Sequence, residues 1–357
     1  MLAELRETTL PAVVGHADWG CEPRKQQVAV AELAAGPAAR PRYQVVSVDS
    51  AARGGADLFD VLEVGAGRGR CLVGFDFPIG LPRDYAAAVG VTWFPAFLDL
   101  IGSGAWREFA QVADRASDIC LHRPFYPRRP GGTRRADLYA GLGLSAAQLR
   151  RRADGRDAET LFWTLGPKQA GKASLDGWRL LREARARGVD IALWPFDGSL
   201  ARLLARPAAF VVAETYPREY YRYIGAPPAA RWSKRRRDDR LTCVPRLLAW
   251  ADSLGVGFAA DVRRLVTSGF GDGPVGEDQF DCVVGVLGMI GVVTGAIAVG
   301  LPDDDPAVAT TEGWILGRAA DPPVGVLGRA AEARSDMTVS AQVLTRRSAG
   351  NGFGRLA

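Results

Sequence analysis

At 357 residues, 48% hydrophobic and 24% charged, the chain has room for one large or two ordinary domains and can bury a substantial core. Its five cysteines are odd in number and form no C-x-x-C pair, which argues against a disulfide framework and a structural zinc site and makes a reducing cytoplasm the expected location. A net charge of +5 permits contact with phosphate without demanding it, and with only His16 and His122 present any catalysis must lean on carboxylates or lysines.

The opening stretch MLAELRETTLPA lacks a positive start followed by an apolar core, so no signal peptide is expected. Val13 to Asp18, Gln27 to Leu33 and Tyr43 to Val48 read as three strands. The links between them carry Gly20, Pro23 and Gly36-Pro37, so an antiparallel meander is the economical arrangement. Ala56 to Val64 has helical periodicity and would cross over to a fourth strand, Cys71 to Asp76, parallel to the first. If the two are adjacent, Asp76 lies beside Asp18. Alternation puts Val14, His16 and Asp18 on one face, and likewise Leu72, Gly74 and Asp76. Trp93 to Ile101 reads as a short helix.

Residues 103–173 have a different texture. Between Leu121 and Arg152 eight arginines face the single Asp137, with Arg-Pro, Pro-Gly-Gly and Gly-x-Gly punctuation. This region reads as a basic, partly loop-like insertion, either a solvated excursion or a clamp for a polyanion. Ser174 then looks like the N-cap of a helix running to Arg187 and stopped by Gly188. Val189 to Trp194 and Phe210 to Glu214 read as strands, Pro217 to Tyr223 as a short aromatic helix, and Leu241–Leu254 and Ala259–Thr267 as helices. The run from Arg231 to Arg237 has the character of a solvated face, and it lies close in sequence to Glu214. Cys282 to Gly300 is apolar but for Thr294. Asp278 and Asp281 precede it and Asp303 to Asp305 follow, without nearby Lys or Arg to anchor it, so a buried core helix is expected and not a membrane span. Gly285, Gly288, Gly291 and Gly295 would give that helix a smooth ridge for close packing. Residues 320–357, rich in Ala, Gly and Arg, read as a loosely ordered tail.

Three apolar strands thus carry Asp18, Asp76 and Glu214 at or near their C-terminal ends, where parallel sheets place their sites. Asp281 stands at the edge of an apolar helix, one turn from Asp278, where a carboxylate needs a partner. Carboxylates that cannot all stay charged in a dry cleft imply a counter-charge, and hard oxygen ligands select Mg²⁺ or Mn²⁺ over zinc. A pair of such ions would serve phosphodiester cleavage. Gly166 to Ala173 nearly matches a phosphate-cradling loop. Ala173 lacks the hydroxyl that would ligate Mg²⁺ and Pro167 lacks a backbone N–H, so what remains is Lys168 and Lys172 as contacts for substrate phosphate, with Lys234 and Arg235 in the same role.

A meander with Asp on its first strand, an acid on a parallel fourth strand and acids on a late helix resembles the RNase H-like fold of nucleases and Holliday-junction resolvases. The segments HADWGC, GFDFPIGLP, GPKQAGKASLDGW, IALWPFDG, VVAETYPREYY, DQFDCVVG and TEGWILG are similar to those of the predicted nucleases of domain-of-unknown-function family 429, over about residues 13–318. The resemblance implies an α/β, RNase H-like mixed sheet flanked by helices, with a core of 1–102 and 174–319. It implies catalytic Asp18, Asp76, Glu214 and Asp281, with Asp278 joining them as metal ligands, and it makes nucleic acid the expected partner. Two other readings compete: a phosphotransferase of the actin and sugar-kinase type, for which a second acid-bearing half is lacking, and a non-catalytic nucleic-acid-binding module.

Overall fold

Apolar strands with β-branched residues on alternate positions build a mixed sheet whose two faces are both buried. The computed structural model describes residues 10–20, 22–35, 42–51, 58–60, 62, 70–155, 158–166, 170–206, 210–228 and 231–320. Its strands are β1 (Val13–Asp18), β2 (Gln27–Leu33), β3 (Tyr43–Ser50), β4 (Cys71–Phe75), β5 (Ile191–Trp194), β6 (Phe210–Glu214) and β7 (Val256–Phe258). They form one seven-stranded sheet in the order β5-β6-β4-β1-β2-β3-β7. The expected meander is there: β1 and β2 pair antiparallel, as do β2 and β3, with a bulge at Val30/Ala31. The fourth strand runs parallel to the first and directly beside it, with Ala17 opposite Phe75. Strands β6, β5 and β7 extend the sheet in parallel at its two edges.

The helices are α1 (Arg83–Ala88), α2 (Phe94–Leu100), α3 (Arg135–Leu142), α4 (Ala170–Ala186), α5 (Leu200–Leu204), α6 (Arg237–Ser253), α7 (Ala260–Thr267) and α8 (Gly276–Val293). One sheet face, with Val14, Leu72, Ala192, Val211 and Ala213, packs against α6, α7 and α8. The other, with Val13, Val73, Phe75, Leu193 and Val212, packs against α4 and against residues 103–163. The chain's first unit comprises Met1–Arg318. Of the second, Ala319–Ala357, only residues 319 and 320 are described, so the expected tail lies outside the described residues. Of the expected 56–64 helix, residues 58–60 and 62 are described and helical.

Helix α8 is a core element, as its composition implies. Val283, Val284, Leu287 and Ile290 are fully buried, and among the described residues no helix is long and apolar enough to cross a membrane. The glycine ridge works as a contact surface. A Cβ on Gly285 would lie 2.2 Å from the His16 ring of β1, and one on Gly288 would lie 2.3 Å from Tyr220. Gly295 is different: it follows the helix with φ +79°, a left-handed position that glycine takes without strain.

Two expectations are corrected. Ser174 is no N-cap. Helix α4 begins four residues earlier, and the buried Ser174 hydroxyl donates back to the Ala170 carbonyl at 2.9 Å. Residues 103–173 are no solvated excursion either. Phe109, Phe125 and Phe162 are fully buried and meet one another edge-on, with Trp178 of α4 beside them. This aromatic cluster is the core of the second face, which explains why a stretch so rich in arginine folds. Several of those arginines are held in ion pairs. Arg135 pairs with Glu159, Arg134 with Asp137, and Arg152 with Asp304 and Asp305.

Candidate functional site

The ends of β1 and β4 and the first two turns of α8 meet on the face that α8 covers. Asp18 closes β1 and Asp76 follows β4 by one residue, and the parallel pairing of the two strands sets them side by side. The backbone N–H of Trp19 donates to Asp76 Oδ1 at 2.7 Å, which ties the two strand ends together. Asp278 and Asp281 enter from α8, each more than nine-tenths buried. Cys282, next on that helix, accepts from the Asp18 backbone N–H at 3.3 Å and donates to the Gln27 carbonyl at 3.2 Å, so the helix start is fastened to the meander.

One ammonium group stands among these acids. Lys234 Nζ donates to Asp281 Oδ2, and the Tyr221 hydroxyl donates to Asp281 Oδ1. Both Asp281 oxygens are therefore engaged. Neither Asp18 Oδ2 nor Asp278 Oδ2, both buried, has a hydrogen-bond partner. Such orphaned oxygens are costly and mark a place where something else binds.

The electrostatics show how close the groups are. Burial, then Asp76 and Asp281, push the Asp18 carboxyl well above its ordinary range, and Lys234 only partly offsets this. Burial also pushes Asp76 up to about 7, against the Trp19 N–H and Lys234, which favour its charged form. Asp278 is pushed up to about 6, again mainly by burial. Burial works against the Lys234 charge, but Asp281 and Asp18 outweigh it and hold the ammonium firmly protonated.

The segment that carries Lys234 is built, not loose. Trp232 is buried against Tyr221 and Phe280 and donates its indole N–H to the Asp239 carbonyl at 2.8 Å. The Ser233 N–H donates to Asp239 Oδ2 at 2.8 Å. Arg240 is buried and donates to the Lys234 carbonyl, to Gly269 and to Gly271 at 2.5, 2.9 and 2.7 Å. Lys234, expected to reach for substrate from a solvated run, is directed into the acidic cluster.

The remaining expected residues fall elsewhere. Glu214 does not join the aspartates, and side-chain alternation is the reason. It shares a face with Phe210 and Val212, opposite to Leu72, Gly74 and Asp76. There the Arg151 guanidinium grips both its oxygens, NH1 on Oε2 at 2.5 Å and NH2 on Oε1 at 2.7 Å, and the Ile79 N–H donates to Oε2 at 2.7 Å. Burial opposes the Arg151 charge, but Asp154 and Glu214 more than offset it. Glu214 reads as a structural acceptor. Arg235 is mostly exposed, 3.4 Å from Glu277, and Lys168 lies outside the described residues. Lys172 lines a cavity of about 320 Å³ with Asp176, Arg179 and Arg182.

Sequence reasoning missed Tyr221 and Asp176. The Trp19 indole N–H and the Gln26 amide both donate to Asp176 Oδ2, at 3.0 and 3.1 Å, which places Asp176 on the far side of Trp19 from Asp76. The repeated tyrosine of Pro-Arg-Glu-Tyr-Tyr was the only available hint of Tyr221. His16 is a core residue: burial without a partner drops it to about 3 and keeps it neutral.

The donor set is all carboxylate, which suits a hard divalent ion. Among the described residues no three His, Cys, Asp or Glu side chains form a ready-made metal-holding group. Mg²⁺ needs only one or two carboxylates, taking its other ligands from water and substrate phosphate, so the Asp18 and Asp76 pair with its orphaned oxygen fits such an ion. Comparison with family models, with curated proteins and with solved structures gave no match.

Proposed function

We propose that this chain is a metal-dependent phosphodiesterase acting on nucleic acid, with an RNase H-like core similar to that of the predicted nucleases of domain-of-unknown-function family 429. The observation that carries the reading is the convergence of Asp18, Asp76, Asp278 and Asp281 on one ammonium group, with two carboxylate oxygens left unpartnered. A structural cluster has no use for so much uncompensated negative charge, since each buried carboxylate raises the cost of the next. Asp18 and Asp76 would hold a Mg²⁺ or Mn²⁺ ion, with Asp278 and Asp281 forming the opposite acidic wall. When bound, that ion lowers the pKa of a coordinated water and polarises the phosphoryl oxygens.

The chain's own groups do the rest. The Trp19 N–H fixes the Asp76 carboxylate, Tyr221 and Lys234 fix Asp281, and the Lys234 ammonium offers a positive charge to a phosphodiester entering the cluster. Lys172 and Arg182 near the cluster's Trp19–Asp176 edge, with Arg235 at its α8 edge, supply positive charge for the flanking backbone. The test is hydrolysis of single- and double-stranded DNA and RNA with Mg²⁺ or Mn²⁺. Cleavage that Asp18→Asn and Asp76→Asn abolish is the expected result. Cleavage persisting in the double variant would remove the centre, and salt-sensitive binding without turnover would leave a binding module.

A further inference from the structure

We infer that Lys234 takes the place of a second metal ion, so that the acidic centre admits one divalent cation, held from the Asp18 and Asp76 side, and not a pair. The inference rests on the metal-dependent reading above and fixes its stoichiometry. Four carboxylates from two strand ends and one helix would ordinarily suggest two ions. The four do not offer equivalent oxygens. Each Asp281 oxygen already accepts a hydrogen bond, Oδ1 from the Tyr221 hydroxyl and Oδ2 from Lys234 Nζ, and the ammonium on Oδ2 repels any cation that approaches that oxygen. The unpartnered oxygens are Asp18 Oδ2 at the strand end and Asp278 Oδ2 on the helix, the latter on a residue only 8% exposed.

Lys234 is also central. Its charge favours the ionised forms of Asp18, Asp76 and Asp278 as well as pairing with Asp281, so all four acids lie within reach of the one ammonium, whose side chain is 34% exposed. It is held from behind, its carbonyl by the buried Arg240 and the preceding residue's N–H by Asp239. These bonds fix the backbone from which the side chain starts, and the bond to Asp281 holds the ammonium itself. Four carboxylates against one ammonium lack three positive charges, so one divalent ion leaves a single negative charge, which suits protonation of one acid, whereas two ions would leave a single positive charge.

The experiment is equilibrium binding of Mn²⁺ to the full chain, by titration calorimetry and by the loss of the free-ion electron paramagnetic resonance signal. One ion is expected in the wild type. Lys234→Ala, which frees Asp281 Oδ2, is expected to take a second, while Lys234→Arg stays at one. Asp281→Asn guards against a misfolded lysine variant: it is expected to hold its single ion within about threefold of wild-type affinity, whereas Asp18→Asn loses about a hundredfold, in the range seen when a ligand's support is removed. Two ions in the wild type, one in Lys234→Ala, or loss of the ion in Asp281→Asn overturns the inference and leaves the metal-dependent reading standing. No ion in the wild type overturns both.

Discussion

Two carboxylate clusters lie on opposite faces of one sheet, and they are built from the same materials to different ends. At Glu214 every oxygen is answered: Arg151 donates to both, the Ile79 N–H adds a third bond, and Asp154 takes the remaining side of the guanidinium at 2.8 Å. At Asp18 and Asp76 negative charge is in excess, one ammonium serves four acids, and two oxygens have no partner. Burial and a nearby cation are common to both, so neither distinguishes a site from a brace. What distinguishes them is whether the valences close. A closed cluster stabilises a fold, whereas an open one stores repulsion that a ligand can relieve.

The comparison can be broken in several ways, beginning with the largest effect. Arg151→Ala leaves Glu214 and Asp154 as uncompensated buried acids and should cost about 3–5 kcal/mol in denaturant unfolding. Unchanged stability would show that this pair is not closed as described. Asp18→Asn should do the opposite. It should raise the stability of the metal-free chain by about 1 kcal/mol, since the variant need not carry a disfavoured charge, and lower phosphodiester cleavage at least a hundredfold, about 2.7 kcal/mol of transition-state stabilisation. A stability loss on that substitution would move Asp18 into the structural class.

Gly285→Ala tests the frame that brings the acids of α8 to the strand ends. Its added carbon would meet the His16 ring at 2.2 Å, and a cost of about 1–3 kcal/mol is expected, with metal affinity falling alongside stability. A neutral result would show that helix and strand can part without disturbing the site.

The pH dependence sharpens the contrast. Asp76 is raised to about 7 and Asp278 to about 6 from ordinary values of 3.8. Between about pH 4 and pH 7 the folded chain therefore holds protons that the unfolded chain has released. Stability contributed by these groups falls as pH rises through that window, by at most about 1.4 kcal/mol per pH unit for each, and the slope vanishes below about pH 4, where both states are protonated. Unfolding midpoints in chelator across this range should show the decline, and Asp76→Asn should flatten it. The smallest effect belongs to the surface. Arg135 is half exposed in its pair with Glu159, and Arg135→Ala should cost less than about 1 kcal/mol and leave cleavage unchanged.

Much of the sheet was legible because it depends on local pattern. The period-2 alternation of Val14, His16 and Asp18, the turn residues between the first three strands and the length of the crossover together dictate a meander with a parallel fourth strand, and Asp76 beside Asp18 follows. Within β6 the same alternation groups Glu214 with Phe210 and Val212, and the register that sets Glu214 opposite Phe75 turns that group to the other face. An acid at a strand end therefore does not by itself declare the face it serves, because the register between paired strands decides it.

Lys234 was harder to read. In Arg231-Trp232-Ser233-Lys234-Arg235-Arg236-Arg237 nothing in the charges separates the one side chain that turns inward, and the available signal is Trp232, an aromatic residue too large to belong to a solvated face. The aromatic core beneath the arginines of residues 103–173 was hidden in the same manner, since Phe109, Phe125 and Phe162 follow no helical or strand period and meet only in three dimensions.

The sequence by itself determined six of the seven strands, all but the short edge strand β7, the buried glycine-ridged helix and the positions of Asp18, Asp76, Asp278 and Asp281 along the chain, because periodicity and chain connectivity act over a few residues. Only the tertiary structure decided which cation meets which acid. Pairing of Arg151 with Glu214 and of Lys234 with Asp281 spans 63 and 47 residues of chain, and depends on which sheet face each side chain leaves by and what the opposite layer brings to it. Charge acts through space, and a linear pattern carries no record of the distance between groups that folding brings together.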